Sequence, residues 1–227
     1  MRVQNRRYPS LSSHDPFPRT VGLLWMLAPL WYLLCEAVAA AGFRGYDYAT
    51  FYISDLGVPD QAEFQGRALA SGLPAVMNAG FIGTGVLFLL GVVLLAPRLS
   101  GWSGAVFVVL GTVHAAGIVF VGLVPGSPSN ERLGFIVIHA LGAVAAILGG
   151  NLAAIVSRWA LRPTGLRRSV LLRGPVFGAL GILSGVLLAL HAGLPDGVWE
   201  RGSVYAFLTW QLLLGFSLMR RGADPRE

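Results

Sequence analysis

Lysine is absent from this chain of 227 residues, so all 17 basic residues are arginine. Cysteine occurs once, as Cys35, which excludes an internal disulfide framework and any cysteine-based metal cluster. Charge of either sign is scarce, at 12% of residues, where an ordinary soluble domain has roughly a quarter; a water-soluble globular domain is excluded. HxxxH and HExxH spacings, low-complexity tracts, a second domain and a clear internal repeat are also missing.

What the chain has in quantity is apolar sequence, at 55% of residues with a mean hydropathy of +0.65. Six runs stand out, at 21–42, 74–96, 102–124, 134–156, 174–194 and, shorter, 203–219. Each is close to the roughly 20 residues that carry a helix across a hydrocarbon layer. The runs lack period-2 alternation and are rich in Leu, Ala and Gly, so helices rather than barrel strands are expected to satisfy the backbone in lipid. The expected fold class is therefore all-α: a polytopic six-transmembrane-helix bundle forming one membrane domain over 21–219, with cytoplasmic tails at 1–20 and 220–227. The first run has features of a signal peptide, with four arginines ahead of it and Ala37-Val38-Ala39 inside it. Its length, and Trp25, Pro29, Trp31 and Glu36 within it, argue for a retained span.

A formal charge of +6 with a pI near 10.2 would suggest a nucleic-acid partner in a soluble protein. Here the arginines sort by side. Arg2, Arg6, Arg7, Arg19, Arg98, Arg158, Arg162, Arg167, Arg168, Arg173, Arg220, Arg221 and Arg226 fall at one side of the expected bundle; Arg44, Arg67, Arg132 and Arg201 fall at the other. Only Asp15, Asp224 and Glu227 share the first side, leaving net charges of +10 and −4. The positive-inside rule then predicts a multi-pass protein of the cell membrane with both termini cytoplasmic, in contact with membrane lipids and with no nucleic-acid partner.

Small residues recur at helical spacing. Gly174, Gly178, Gly181 and Gly185 form one stripe and Gly142, Ala146 and Gly150 another, of the kind that lets helix backbones approach closely in lipid. The longest outer connection, 43–73, carries an aromatic group (Tyr46, Tyr48, Phe51, Tyr52) suited to the headgroup level, then Ile53-Ser54-Asp55-Leu56-Gly57. Asp60 and Glu63 have capping-box spacing, which predicts a short helix from there to about Ser71 on the outer face.

Polar residues inside apolar runs are functional-site candidates, because each costs several kcal/mol unless paired or wetted. At about 1.5 Å per residue, Glu36 lies about 9 Å below the outer end of its run, Asn78 about 6 Å, His139 about 8 Å and His191 about 5 Å. His114 lies about 15 Å down, in a different layer. Ser54, Asp55, Asn130, Glu131, Asp196 and Glu200 reach the outer face from loops. A carboxylate, an amide and two imidazoles at one depth suit acid/base chemistry. Glu36, Asp55 and His139 are the catalytic candidates; Ser54, Asn78, His191 and Glu200 are candidates for binding or orienting a substrate.

Plainer roles compete. Glu36 can snorkel or pair with Arg44, Asn78 can tie helices together, Asp55 can serve a turn, and His114, Asn151 and Gln211 can be hydrogen-bonding contacts between helices. His14 reads as part of a solvated tail. A zinc site from His114, His139 and His191 would have to cancel a vertical mismatch of about 7 to 10 Å, so no metal is assigned and the cofactor stays open.

Six segments taken in order carry a family resemblance: Ile53 to Gly57, Met77-Asn78-Ala79-Gly80-Phe81, Val121-Gly122-Leu123-Val124-Pro125, His139-Ala140-Leu141-Gly142-Ala143, Gly149-Gly150-Asn151 and Trp199-Glu200-Arg201. Together they resemble the domain of unknown function 998 family of prokaryotic multi-pass membrane proteins. The resemblance runs from the first span to the last and implies a six-span bundle, with no established activity. A more distant likeness is to the membrane hydrolases that include alkaline ceramidases and adiponectin receptors, which set Ser, Asp and three His around zinc. This chain has six spans rather than seven and no HxxxH, so the zinc chemistry is not carried over.

Three function classes follow: a membrane-embedded enzyme acting on a lipid or isoprenoid-like substrate, a small transporter or proton-coupled carrier, and a structural or accessory membrane protein. The off-centre polar layer and the lack of inverted repeats favour the first.

Overall fold

The computed structural model describes residues 17–221; His14 and most of both expected tails lie outside the described residues. Helix α1 (Phe17–Ala41) is followed by a long outer connection, then α2 (Pro74–Leu95), α3 (Gly101–Leu123), a single short turn of helix α4 (Pro128–Arg132), α5 (Ile136–Ala160), α6 (Arg168–Ala189) and α7 (Asp196–Arg221). All but α4 are long and apolar enough to cross a membrane. The protein is a multi-pass membrane protein with an all-α six-helix bundle.

The six long helices close into a ring in the order α1, α2, α3, α5, α6, α7 and back to α1. Across the ring, α5 and α7 touch only sparingly. Two indoles stitch α1 to α2: Trp25 Nε1 donates to the Phe88 carbonyl at 3.1 Å and Trp31 Nε1 to the Ala79 carbonyl at 2.9 Å. The α3–α5 contact is close because Gly117 lies on the backbone of Gly142 and Ala146, where a Cβ would meet Ala146 N and Gly142 O at 2.6 Å. On α6, Gly174 and Gly178 lie against α5 at Ala154, Asn151 and Ile155, and Gly181 against the Asn151 side chain. Gly185 faces a looser contact with Ile147.

An aromatic cluster fills the ring's centre. Trp25 stacks on Phe88 with centroids 5.5 Å apart, and Phe107, Phe207, Trp210 and the His114 ring pack around this pair. Among the described residues, buried carboxylates and guanidinium groups (Glu36, Asp55 and Arg201) gather at one end of the ring, under the 42–73 connection.

The structure corrects three expectations. No helix forms from Asp60 to Ser71; strands β1 (Ala62–Phe64) and β2 (Arg67–Leu69) pair as an antiparallel hairpin instead. Gln65 and Gly66 at its tip both have positive φ, 49° and 76°, the conformation of a two-residue turn that matches strand twist. Asp60 caps nothing, because it accepts a hydrogen bond from Ser129 Oγ on α4. The fifth span covers 168–189 rather than 174–194, which places His191 beyond the helix end in a left-handed turn (φ 48°) with its side chain 71% exposed. The last span starts at Asp196 rather than 203. Asp196, Glu200 and Arg201 interrupt the apolar run, yet they belong to the helix because their charges are met by the outer connection and by α1.

Candidate functional site

The outer connection is held from both sides. From α7, Arg201 Nη1 donates to the carbonyls of Tyr48 at 2.6 Å, Phe51 at 2.9 Å and Gly197 at 3.1 Å, and Nη2 donates to the Tyr46 hydroxyl. Its guanidinium lies 4.8 Å from the Tyr48 ring centroid, within cation–π range. The same Arg201 faces Glu36 Oε1 at 3.3 Å, and Glu36 Oε2 accepts from Tyr205 Oη at 2.8 Å. Glu36 thus pairs with Arg201 across helices, and not with Arg44.

From below, Asn78 Nδ2 donates to the Gly57 carbonyl at 2.9 Å and Ser71 Oγ to the Leu56 carbonyl at 2.6 Å. Asn78 therefore ties α2 to the Ile53–Gly57 turn rather than to another helix. Gly57 is required there, since a Cβ would overlap the Asn78 amide.

Within the turn, the buried Asp55 accepts from the Tyr52 amide at 2.9 Å and from Arg67 Nε at 2.7 Å and Nη2 at 3.3 Å. Asp55 is both a turn residue and the acceptor of a two-pronged guanidinium pair. Arg67 arrives there because the tight hairpin turn brings the start of β2 back toward Ser54–Gly57, and it also covers the Tyr52 ring at 4.2 Å. Tyr52 Oη donates to Asp196 Oδ2 at 2.7 Å, and that carboxylate meets His191 Nδ1 at 2.8 Å. Burial and the Asp196 carboxylate raise the Tyr52 phenol well above its usual pKa; burial raises Tyr46 likewise, opposed by Arg201.

Beneath the hairpin lies a cavity of about 230 Å³ whose wall includes Ser54, Asp55, Arg67, His139 and Glu200. A second, narrower cavity of about 60 Å³ is walled mostly by apolar residues, among them Phe81, Ile118, Val204 and Leu208. The two share Ser54, Ala143, Ile147 and Glu200. Glu200 Oε2 accepts from the Ile53 amide at 2.5 Å, which fixes the carboxylate where the cavities meet.

His139 Nδ1 lies 2.8 Å from the Val124 carbonyl. A carbonyl only accepts, so Nδ1 carries the hydrogen and a neutral ring keeps its lone pair on Nε2. His114 Nδ1 does the same toward Ala146 across α3 and α5, at 2.7 Å, an interhelical contact as expected. Asn151 Nδ2 likewise links α5 to the Ser203 carbonyl on α7 at 3.1 Å. Gln211 is fully buried with neither amide atom hydrogen-bonded.

Of the seven candidate residues, Ser54, Asp55, His139 and Glu200 come together around the 230 Å³ cavity. Glu36, Asn78 and His191 support its surroundings without lining either cavity. Arg67, Arg201, Tyr52 and Tyr205 join the site without being among the sequence candidates: Arg67 reads as an outer charge and Tyr52 as a headgroup-level aromatic. Arg201 stood in the Trp199-Glu200-Arg201 segment but was weighed only as an outer charge; Tyr205, four residues on, lies on the same helix face.

No curated protein and no solved structure matches this chain. A family model described as "Protein of unknown function (DUF998)" matches residues 26–217, a stretch that contains every residue of the site just described, and the chain belongs to that family.

Proposed function

We propose that the protein is a membrane-embedded enzyme acting by acid/base chemistry on a lipid or isoprenoid-like molecule, held with its polar head in the wider cavity and its apolar tail in the narrower one. The observation that carries this reading is the shared wall: a charged cavity and an apolar one lie on either side of Ser54, Ala143, Ile147 and Glu200. An amphipathic ligand satisfies both, whereas a wholly polar one would leave the inner wall unmatched.

His139 accepts a proton at Nε2 and Glu200 acts as its acid/base partner across the cavity. Ser54 and the Asp55–Arg67 pair orient the head. Glu36 has a positioning role, holding Arg201 and through it the outer connection. The polar head is placed at the extracytoplasmic side, with both helix ends at Phe17 and Arg221 facing the cytoplasm of a cell-membrane protein, because the arginines of the described chain crowd that end. A carrier would use the same Glu200, but it needs a path through the other half, which the aromatic cluster of Trp25, Phe88, Phe107, Phe207 and Trp210 fills.

The test compares lipid extracts, by mass spectrometry, from cells producing the wild type, His139→Ala and Glu200→Gln. The enzyme reading expects a lipid species that accumulates in both variants while the melting temperature of each purified protein stays close to wild type. Identical lipid profiles in the three strains would sink it.

A further inference from the structure

The end of the bundle opposite the acid/base site holds a third cavity, of about 340 Å³, lined by Arg158, Arg162, Arg168, Leu166, Leu171 and Leu172. We infer that it binds the phosphate of an anionic lipid headgroup, with the leucines receiving the glycerol and upper acyl chains.

Three arginines come to it from three separate places: the last turn of α5, the 162–164 turn, and the first residue of α6. Among the described residues no carboxylate lies within ion-pair distance of any of the three, in contrast to Arg67 and Arg201 at the other end. Guanidinium groups without a counter-charge, gathered around one hollow, fit a phosphate, which takes two parallel N–H donors from each fork.

The connection that presents them is built to hold its shape. Leu161, Thr164 and Leu166 are buried, Thr164 Oγ1 donates to the Leu161 carbonyl at 2.6 Å, and Gly165 turns the chain at φ 70°. The first amides of α6 have no helical acceptor and add partial positive charge beside Arg168. Half of the wall is leucine, which a free inorganic anion would not use. Trp159, exposed at the same level and beneath the Arg158 guanidinium at 5.5 Å, marks the headgroup zone where such a lipid would sit.

Purified full-length protein is exchanged into micelles containing equal amounts of phosphatidylglycerol and phosphatidylcholine, and the lipids retained are counted by native mass spectrometry. Wild type is expected to keep phosphatidylglycerol over phosphatidylcholine by about a hundredfold, given about 1 kcal/mol for each of the three arginines near an anionic headgroup. R158Q/R162Q/R168Q is expected to fall to parity, while R132Q at the other end keeps the preference. Should the triple variant not fold, R162Q alone is expected to reduce the preference about fivefold, on the same scale. A second arm adds inorganic phosphate at constant ionic strength. If phosphate displaces the bound phosphatidylglycerol and by itself raises the melting temperature equally, the site takes a soluble anion and the lipid assignment is overturned. Equal retention of both lipids by wild type, or a preference that survives the arginine changes, overturns it as well.

Discussion

At the scale of single residues, Arg201 carries the most. A buried guanidinium that meets a carboxylate, three carbonyls and a phenol is costly to orphan, and truncating one partner of a buried pair usually costs about 3–5 kcal/mol. Arg201→Gln should therefore lower the stability of the purified protein by about that amount in a denaturant titration. Replacing both partners, as Glu36→Leu with Arg201→Met, should recover part of the loss, since no buried charge is then left unpaired, although the Tyr48 and Phe51 carbonyls still lose their donor. His139→Ala is expected to behave differently. It gives up one hydrogen bond to Val124, worth about 1 kcal/mol, so a variant that loses turnover yet melts close to wild type separates chemistry from folding. These expectations were only half legible in the sequence. Glu36 and His139 are conspicuous because polar residues in apolar runs need a reason, whereas Arg67 and Arg201 look like ordinary outer charges until the connection folds back over the bundle end.

Among the elements, the hairpin of β1 and β2 is the least legible and the most exposed to a simple test. Its strands have three residues each, too few for a period-2 pattern to register, and the Asp60/Glu63 spacing imitates a helix start. The informative pair was Gln65-Gly66, a weak version of the turn signal usually given by Asn-Gly. Gly66→Val should cost about 1–2 kcal/mol locally, because a β-branched residue resists φ 76°. Since Phe64, Gln65 and Arg67 line the wider cavity, ligand affinity measured by retained lipid should fall while the helical circular dichroism stays unchanged. The long helices were the opposite case. Twenty apolar residues announce a span without any knowledge of its neighbours, but where a span ends depends on tertiary partners. The charges of Asp196, Glu200 and Arg201 end the apolar run of α7 by sequence and extend it in space by pairing.

For the molecule as a whole, the closed ring has two ends of different character: paired charges under a roof at one, and at the other a hollow rimmed by Arg158, Arg162 and Arg168, with no carboxylate within ion-pair distance of the three among the described residues. Orientation can be checked with the protein's own scarcity of thiols. Cys35 is buried, so a cysteine placed at Arg132 or at Arg162 reports alone. In intact cells, a membrane-impermeant maleimide should label Arg132→Cys and leave Arg162→Cys unlabelled until the membrane is breached; the reverse result would invert the assignment. The central aromatic cluster sets the ring's stability, and Trp25→Ala should cost about 3–5 kcal/mol by thermal or denaturant unfolding.

The Arg201 contacts also join the roof to the ring mechanically. The amides of Tyr52 and Ile53 donate to Asp55 and Glu200, and the carbonyls of Tyr48 and Phe51 are held by α7. A surface loop normally trades its amide hydrogens with water through cheap local openings, but here such an opening must first pull a guanidinium out of its carbonyl nest. Deuterium should enter the amides of Phe51, Tyr52 and Ile53 nearly as slowly as the middle of α7, making this stretch of irregular chain part of the same cooperative folding unit as the helices it covers.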